Sequence, residues 1–179
     1  MSRRKFPSSG RAPKPLDLAA LNGLALAYLG KYATTRHKLR TYLRRKLSER
    51  GWEGEEEAPL EAIVERCAEL GYVDDAVFAE ARGAALTRRG YGAQRVAAAL
   101  RGAGIDSETA APVREAAREG ALDAALAYAR RKHMGPFGPE SIDPDQRRRH
   151  FAAMLRAGHP PDIARLVAFA ESGAWLDRT

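Results

Sequence analysis

Helix-ending glycines recur along this chain at a nearly fixed interval, and no other feature narrows the fold as far. Gly51, Gly104 and Gly158 each close a stretch of helical spacing and are separated by 53 and 54 residues, while Tyr28, Phe78 and Tyr128 fall at intervals of 50 in the stretches before them. A repeat of that length marks a tandem array of small helical units, each of which buries too little surface alone and shares its apolar faces with its neighbours. Glycine ends a helix without strain because the left-handed C-terminal position carries no Cβ penalty.

The same grammar runs through each period. In the first, Asp17 is placed to cap a helix carrying Leu18, Leu21, Ala25, Tyr28, Leu29 and Tyr32 at helical spacing. Thr34 or Thr35 caps the next, whose stripe of Leu39, Tyr42, Leu43 and Leu47 ends at Gly51. A third is expected from the Glu55-Glu56-Glu57 cluster, with Ile63, Val64, Cys67 and Leu70 inward and Gly71 as its stop. In the second period, Asp74 or Asp75 opens a helix with Val77, Phe78, Ala81 and Leu86, closing at Arg88-Arg89-Gly90. A short helix from Ala93 to Arg101 follows, and Asp106 or Ser107 opens another that runs to about Glu119. The third period reads as helices from Ala121 to His133, Pro144 to Ala157 and Pro160 to about Glu171, with Gly135-Pro136-Phe137-Gly138-Pro139 as a loop.

Nowhere do β-branched residues alternate over five positions, so no strand is expected. The fold expected is all-α: three tandem three-helix repeats, over residues 17–72, 73–119 and 120–172, forming an elongated, curved array. Residues 1–16 combine Arg3, Arg4, Lys5, Arg11 and Lys14 with three prolines and are expected to be a disordered basic tail. Residues 173–179 form a short C-terminal tail.

Charge is distributed unevenly. The net +7 divides into +11 over the first fifty residues, −7 over residues 51–125 and +3 over the remainder. A basic first third favours a polyanionic partner. The single cysteine, Cys67, excludes an intramolecular disulfide and a thiolate-rich zinc site, and it points to a reducing, cytoplasmic setting. No apolar run is long enough to span a bilayer, and the basic start leads into proline and serine rather than an apolar stretch, so neither membrane insertion nor export is expected.

The second helix of the first period carries the sharpest signal. At about 100° per residue, Leu39, Tyr42, Leu43 and Leu47 share one side. His37, Arg40 and Arg44 cluster opposite, flanked by Lys38 and Arg45, with no acidic partner on that face. Guanidinium forks spaced four residues apart suit a row of phosphates, whereas the plainer reading is a solvated basic helix face. Arg147-Arg148-Arg149 repeats the signal more weakly.

Signs of catalysis are missing. His37, His133, His150 and His159 have no ligand-like spacing with carboxylates or with Cys67, which sits on an apolar helix face as a core thiol. The glutamates at 55 to 57 are explained by a helix start, where the macrodipole favours negative charge, better than by a metal. Gly90-Tyr91-Gly92 reads as a helix end and turn rather than a phosphate cradle. Neither enzyme activity, cofactor nor metal is expected.

One segment is a built joint: Gly71 ends a helix, Tyr72 and Val73 fill the corner, Asp74 or Asp75 caps the next helix, and Phe78 enters the core. That segment resembles the RecX family of regulators of the RecA recombinase. The likeness extends to Leu39-Arg40 through Leu47, to Arg88-Arg89-Gly90-Tyr91-Gly92 with Arg95 and Gly104-Ile105, and to Ala127-Tyr128-Ala129-Arg130-Arg131-Lys132. It covers about Leu18 to Glu171. Lys38 departs from the pattern, standing where many members carry an acidic residue.

The resemblance implies a bacterial cytoplasmic protein that lies in the groove of the RecA filament on single-stranded DNA. Such proteins modulate RecA in DNA repair and the SOS response, usually inhibiting ATP hydrolysis, strand exchange and co-protease activity, with no covalent step. The residues expected to meet the filament or DNA phosphate are Arg36, Lys38, Arg40, Arg44 and Arg45, with Arg88, Arg89, Arg95, Arg147 and Arg148. No surplus apolar surface suggests a dimer, so a monomer is expected. The competing reading is an independent helix-turn-helix regulator that binds duplex DNA by sequence.

Overall fold

A computed structural model describes residues 14–140 and 143–171. Residues 1–13 of the expected basic tail and the whole of the expected C-terminal tail lie outside the described residues. The chain divides at Val73/Asp74 into two compact units.

The first unit holds α1 (Leu18–Leu29), α2 (Arg36–Arg50) and α3 (Leu60–Glu69). Asp17 caps α1 by accepting from the Ala20 N–H at 2.7 Å. Of the two candidate threonines it is Thr35 that caps α2, accepting from the Lys38 N–H at 3.2 Å. Gly51 closes α2 at φ 81°, and its N–H reaches the Leu47 carbonyl at 2.7 Å.

α3 starts at Leu60 and not at the glutamate cluster. Pro59 holds the residue before it out of the helical region, so the helix begins only after the proline. Ahead of it the chain turns back, and the Trp52 indole N–H donates to the Glu56 carbonyl at 2.7 Å. Glu55, Glu56 and Glu57 therefore lie off the helix axis, and Glu61 is the acidic residue of the first turn.

The unit also begins earlier than its first helix. Leu16, expected in the tail, is fully buried; its N–H donates to the Gly51 carbonyl and its own carbonyl accepts from the Glu53 N–H, each at 3.0 Å. One apolar residue directly after Pro15 is enough to pin this segment, because burying a leucine contributes about 1.5–3 kcal/mol. With it, Leu21, Ala25, Leu39, Leu43, Ile63, Val64, Cys67 and Val73 form the first core. Leu18 and Leu70, expected inward, are 51% and 47% exposed. Both share a helix face with buried residues, Leu18 with Ala25 and Leu70 with Ile63, so their exposure comes from standing at the ends of the helical runs and not from the face they are on.

The second unit comprises α4 (Asp75–Arg88), α5 (Ala93–Gly102), α6 (Ser107–Glu119), α7 (Ala121–Lys132), α8 (Pro144–Arg156) and α9 (Pro161–Ala168), with a 3-10 turn at Gly135–Phe137. Three aspartates start three of these helices. Asp74 accepts from Ala76 and Val77 at 2.9 and 3.0 Å, Asp106 from Thr109 at 2.8 Å, and Asp143 from Gln146 at 2.9 Å.

On α4 the buried positions are Ala79, Gly83 and Leu86, while Val77 is 61% exposed and Ala81 is exposed too. The cause is Gly83. Any Cβ there would run into the Val113 side chain of α6, so the helices meet where α4 has no side chain at all. Two further cores follow the two remaining repeats: Ala79, Leu86, Val96, Leu100, Ala103, Ile105, Ala110 and Ala117 in one, and Ala125, Ala129, Met134, Met154, Ala164, Val167 and Ala168 in the other.

The turns of these two repeats are bonded to each other. The Gly92 N–H donates to the Ala157 carbonyl at 3.0 Å and the Gln94 N–H to the Gly158 carbonyl at 3.2 Å. Among the described residues the only bridge of strand type is that between Leu16 and Trp52. The protein is an all-helical array of three-helix repeats.

Candidate nucleic-acid interface

The polar side of α2 is cationic, but acids from outside the helix face it. Arg36 lies 3.1 Å from Glu65, and Arg40 forks onto Glu61 with Nε and Nη2 each 2.6 Å from a carboxylate oxygen. Both glutamates belong to α3. The expectation of a face without acidic partners is thus corrected: a helical wheel of α2 shows only its own residues, and these partners arrive from the neighbouring helix. Further along, Arg45 and Lys46 share Glu49 at 3.6 and 2.6 Å.

Arg40's hydrogen bonds hold the Glu61 carboxyl below the usual carboxylate range, with the charges of Arg40 and Arg44 acting in the same direction. Exposed pairs of this kind contribute only about 0–1 kcal/mol, so a phosphate can displace the carboxylate with little loss of stability. Lys38 is half-buried at the start of the helix, and Arg44 and Arg45 are exposed.

A different arrangement surrounds Tyr91 in the second unit. The guanidinium carbons of Arg89, Arg95 and Arg131 lie 5.8, 5.9 and 5.5 Å from its ring centroid. Arg131 also lies 5.4 Å from the Tyr128 ring, which is 6.3 Å from that of Tyr91. Among the described residues no carboxylate forms an ion pair with any of the three. Arg89 and Arg95 line a groove of about 400 Å³ together with Arg82 and Tyr91.

The backbone explains why the ring stands there. Gly90, at φ 76°, comes so close to α7 that a Cβ would meet the Tyr128 backbone, and Gly92 comes equally close to Gly158. Tyr91 is thereby fixed between the end of α4, the start of α5 and the end of α7. Three guanidiniums with no counter-charge repel one another, and the ring face offsets only part of that repulsion. A phosphate placed among them gains charge-assisted hydrogen bonds from planar forks.

Gly90-Tyr91-Gly92 is a helix end and turn, as its composition suggests, and the Gly92 N–H is already committed to Ala157. Its contribution to a site is the tyrosine side chain. Arg131 was absent from the expected binding set, although it sits in the Ala127–Lys132 segment that carries the family likeness.

The other expected residues are dispersed. Arg88 is exposed on the last turn of α4 and is not part of the Tyr91 groove. On α8, Arg148 pairs with Asp145 and Arg147 is half-buried. A second basic groove in this unit, about 510 Å³ between α5 and α6, is lined by Arg101, Arg114 and Arg118, none of which the sequence singled out. In the joint segment, Gly71 has φ 72° and the Tyr72 N–H closes onto the Cys67 carbonyl at 2.9 Å. Val73 is buried there, but Tyr72 is 54% exposed and does not fill the corner. Asp74 is the cap, Asp75 lies in the first turn of α4, and Phe78 packs against the second core.

Among the described residues, no group of three or more His, Cys, Asp or Glu side chains is placed to hold a metal, and no helix is long and apolar enough to cross a membrane. Cys67 is buried, and burial pushes its thiol up, away from a reactive thiolate.

Three-helix repeats with arginine-lined grooves define a helical-repeat protein of basic character. Comparison with known proteins makes this specific. The family model described as RecX, second three-helix domain, matches residues 74–112, which cover α4, α5 and the start of α6. Regulatory protein RecX of Myxococcus xanthus (strain DK1622) is 32% identical over 172 residues, 92% of each chain. The crystal structure of RecX from Lactobacillus salivarius has the same fold, with a TM-score of 0.61 at 19% identity over 83% of this chain and 92% of that one. The chain belongs to the RecX family of regulatory proteins, which are regulators of RecA.

Proposed function

We propose that this protein binds the RecA filament on single-stranded DNA and inhibits its ATP hydrolysis, strand exchange and co-protease activity. It does so as a cytoplasmic monomer, by occupying surface and without forming or breaking a covalent bond. The observation that carries the reading is the set of three guanidiniums around Tyr91 with no carboxylate partner among the described residues. That is a site prepared for an anion, and phosphate is the anion a nucleoprotein filament offers in a regular row. The α2 face supplies a second contact, in which Arg36 and Arg40 exchange α3 carboxylates for phosphates. Arg44, Arg45 and Lys38 lie along the same helix, and Arg88, Arg147 and Arg148 extend the basic surface of the second unit.

The test is the rate of RecA ATP hydrolysis on single-stranded DNA with and without this protein, repeated with Arg89→Glu and Arg95→Glu together. Wild type is expected to slow hydrolysis and the double variant to lose most of that effect. A rate untouched by wild type overturns the proposal. If about four phosphates are neutralised, direct affinity for single-stranded DNA falls with a log–log salt slope near −2.8, roughly 50-fold between 50 and 200 mM.

A further inference from the structure

The side of α2 that faces α1 carries an aromatic cluster that the phosphate contacts leave unused. Tyr28 of α1 and Tyr42 of α2 are stacked, with centroids 4.3 Å apart and planes 14° apart. Tyr32 lies 5.2 Å from Tyr28 and is tilted by 48°. Arg45 and Lys46 sit 5.7 and 5.9 Å from the Tyr42 centroid, and Lys31 stands at the rim of the same open groove of about 440 Å³.

Core packing accounts for Tyr28 and Tyr42, which are partly buried against the first core, but not for Tyr32. Past the end of α1, the Tyr32 N–H returns to the Tyr28 carbonyl at 3.1 Å, so the backbone holds the ring over the groove while 58% of the residue stays exposed. Tyr32 is thus the ring most open to the groove, whereas Tyr28 meets both other rings and Tyr42 has Tyr28 and the two cations beside it. Glu49 is the acid that meets these cations, shared by Lys46 and Arg45, and three cations against one carboxylate leave the groove positive.

We propose that this groove is a stacking subsite for an unpaired base of single-stranded nucleic acid, with the flanking phosphates held by Lys31 and Arg45. The proposal rests on the reading that the protein engages nucleic acid, and it adds which part of the strand this unit recognises. Aromatic faces interleaved with cations are what a single strand requires, since every base has a π-face and every step a phosphate. In a duplex the bases are already stacked and cannot reach the rings. An acidic peptide would use the cations and leave the rings idle.

The experiment measures binding of the full-length protein to an oligothymidylate, to an abasic strand of the same length and to a duplex of the same length. Wild type is expected to prefer the oligothymidylate to the abasic strand by roughly five- to tenfold, the lower part of what stacking one base provides. Tyr32→Leu, which keeps apolar bulk and removes the π-face at an exposed position, is expected to lose that preference, and Tyr32→Phe to keep it. Duplex affinity should be the same in all three proteins. Equal wild-type affinity for the two single strands overturns the stacking subsite and leaves the phosphate contacts standing, as does a preference that survives in Tyr32→Leu. Absence of salt-dependent binding to either strand overturns the nucleic-acid reading beneath it.

Discussion

The Nε2 of His159 lies 3.0 Å from the carbonyl oxygen of Gly90, a contact that crosses 69 residues of chain and joins the last two repeats. The imidazole is 1% exposed and meets the Tyr128 ring edge-on at 5.7 Å. A carbonyl can only accept, so Nε2 carries the proton and Nδ1, buried without a partner, is the bare nitrogen. Protonating Nδ1 would create a charge with no acceptor beside it.

Burial accordingly holds His159 below the ordinary histidine range, and the Gly90 bond opposes it only in part. The unfolded chain then binds more protons than the folded one near pH 6.5, so stability is fully present above that value and is lost as pH falls through the folded pKa. His150 is shifted in the same direction by burial and contributes to the same slope. The urea midpoint is expected to fall between about pH 7.5 and about pH 5.5. His159→Leu should be less stable at the higher pH by about 1–3 kcal/mol, because the buried Gly90 carbonyl loses its donor, yet should show a shallower pH slope. A slope equal to that of wild type would show that His159 does not titrate on unfolding.

Two glycines in the second unit make opposite demands on a methyl group. A Cβ on Gly92 would strike the backbone of Gly158 and His159, neither of which can give way without breaking the turn-to-turn hydrogen bonds. Gly92→Ala is expected to destabilise by at least about 1–3 kcal/mol. Gly102, at the end of α5, meets nothing within 4 Å, and Gly102→Ala should be neutral or stabilising by up to about 1 kcal/mol. Thermal melting of the pair separates close approach from a general intolerance of alanine.

What the sequence made legible is what local chemistry determines. Gly51, Gly104 and Gly158 have φ of 81°, 76° and 91°, the left-handed values that helix-stopping glycines at a fixed interval imply. Asp17, Thr35, Asp74 and Asp106 cap the helices they precede. Contacts between elements were not legible. Glu61 and Glu65 reach Arg40 and Arg36 from 21 and 29 residues away, and nothing in the spacing of α2 reports them. Gly83 lies in the core of α4 without an apolar side chain to reveal it, and Leu16 is drawn out of a proline-rich stretch by its contacts with Gly51 and Glu53. Arg131 joins the Tyr91 cluster because glycine turns bring α7 to it, a consequence of tertiary approach and not of any local pattern.

The capping aspartates give a test at acid pH. Asp106 accepts from the backbone N–H and the hydroxyl of Thr109, and these bonds hold its carboxyl below the usual range; Asp143 is held down in the same way by the Gln146 N–H. Each contributes stability that is present above the unfolded carboxylate value and lost as pH falls through the lower folded one. Asp106→Ala is expected to lower the melting temperature at neutral pH, and to lower it less where the wild-type carboxylate is itself protonated. A loss that does not change with pH would assign the effect to something other than the charged cap.

The two basic surfaces differ in a way that single substitutions can read. Arg40 is bound to Glu61, whereas Arg95 lies over the Tyr91 ring and, among the described residues, forms no ion pair with a carboxylate. Removing Arg40 leaves Glu61 without its fork, an exposed loss of about 0–1 kcal/mol, and takes from a bound phosphate a contact already offset by the broken ion pair. Removing Arg95 relieves repulsion within the cluster, so Arg95→Ala is expected to melt at or slightly above the wild-type temperature. The same change should weaken binding to single-stranded DNA and make the salt slope shallower by about 0.7, the share of one phosphate on a single strand. Arg40→Ala should alter the slope less. Titrating both variants against a labelled oligonucleotide at several salt concentrations measures the difference, and an Arg95→Ala slope equal to that of wild type would remove Tyr91 and its arginines from the phosphate-binding surface.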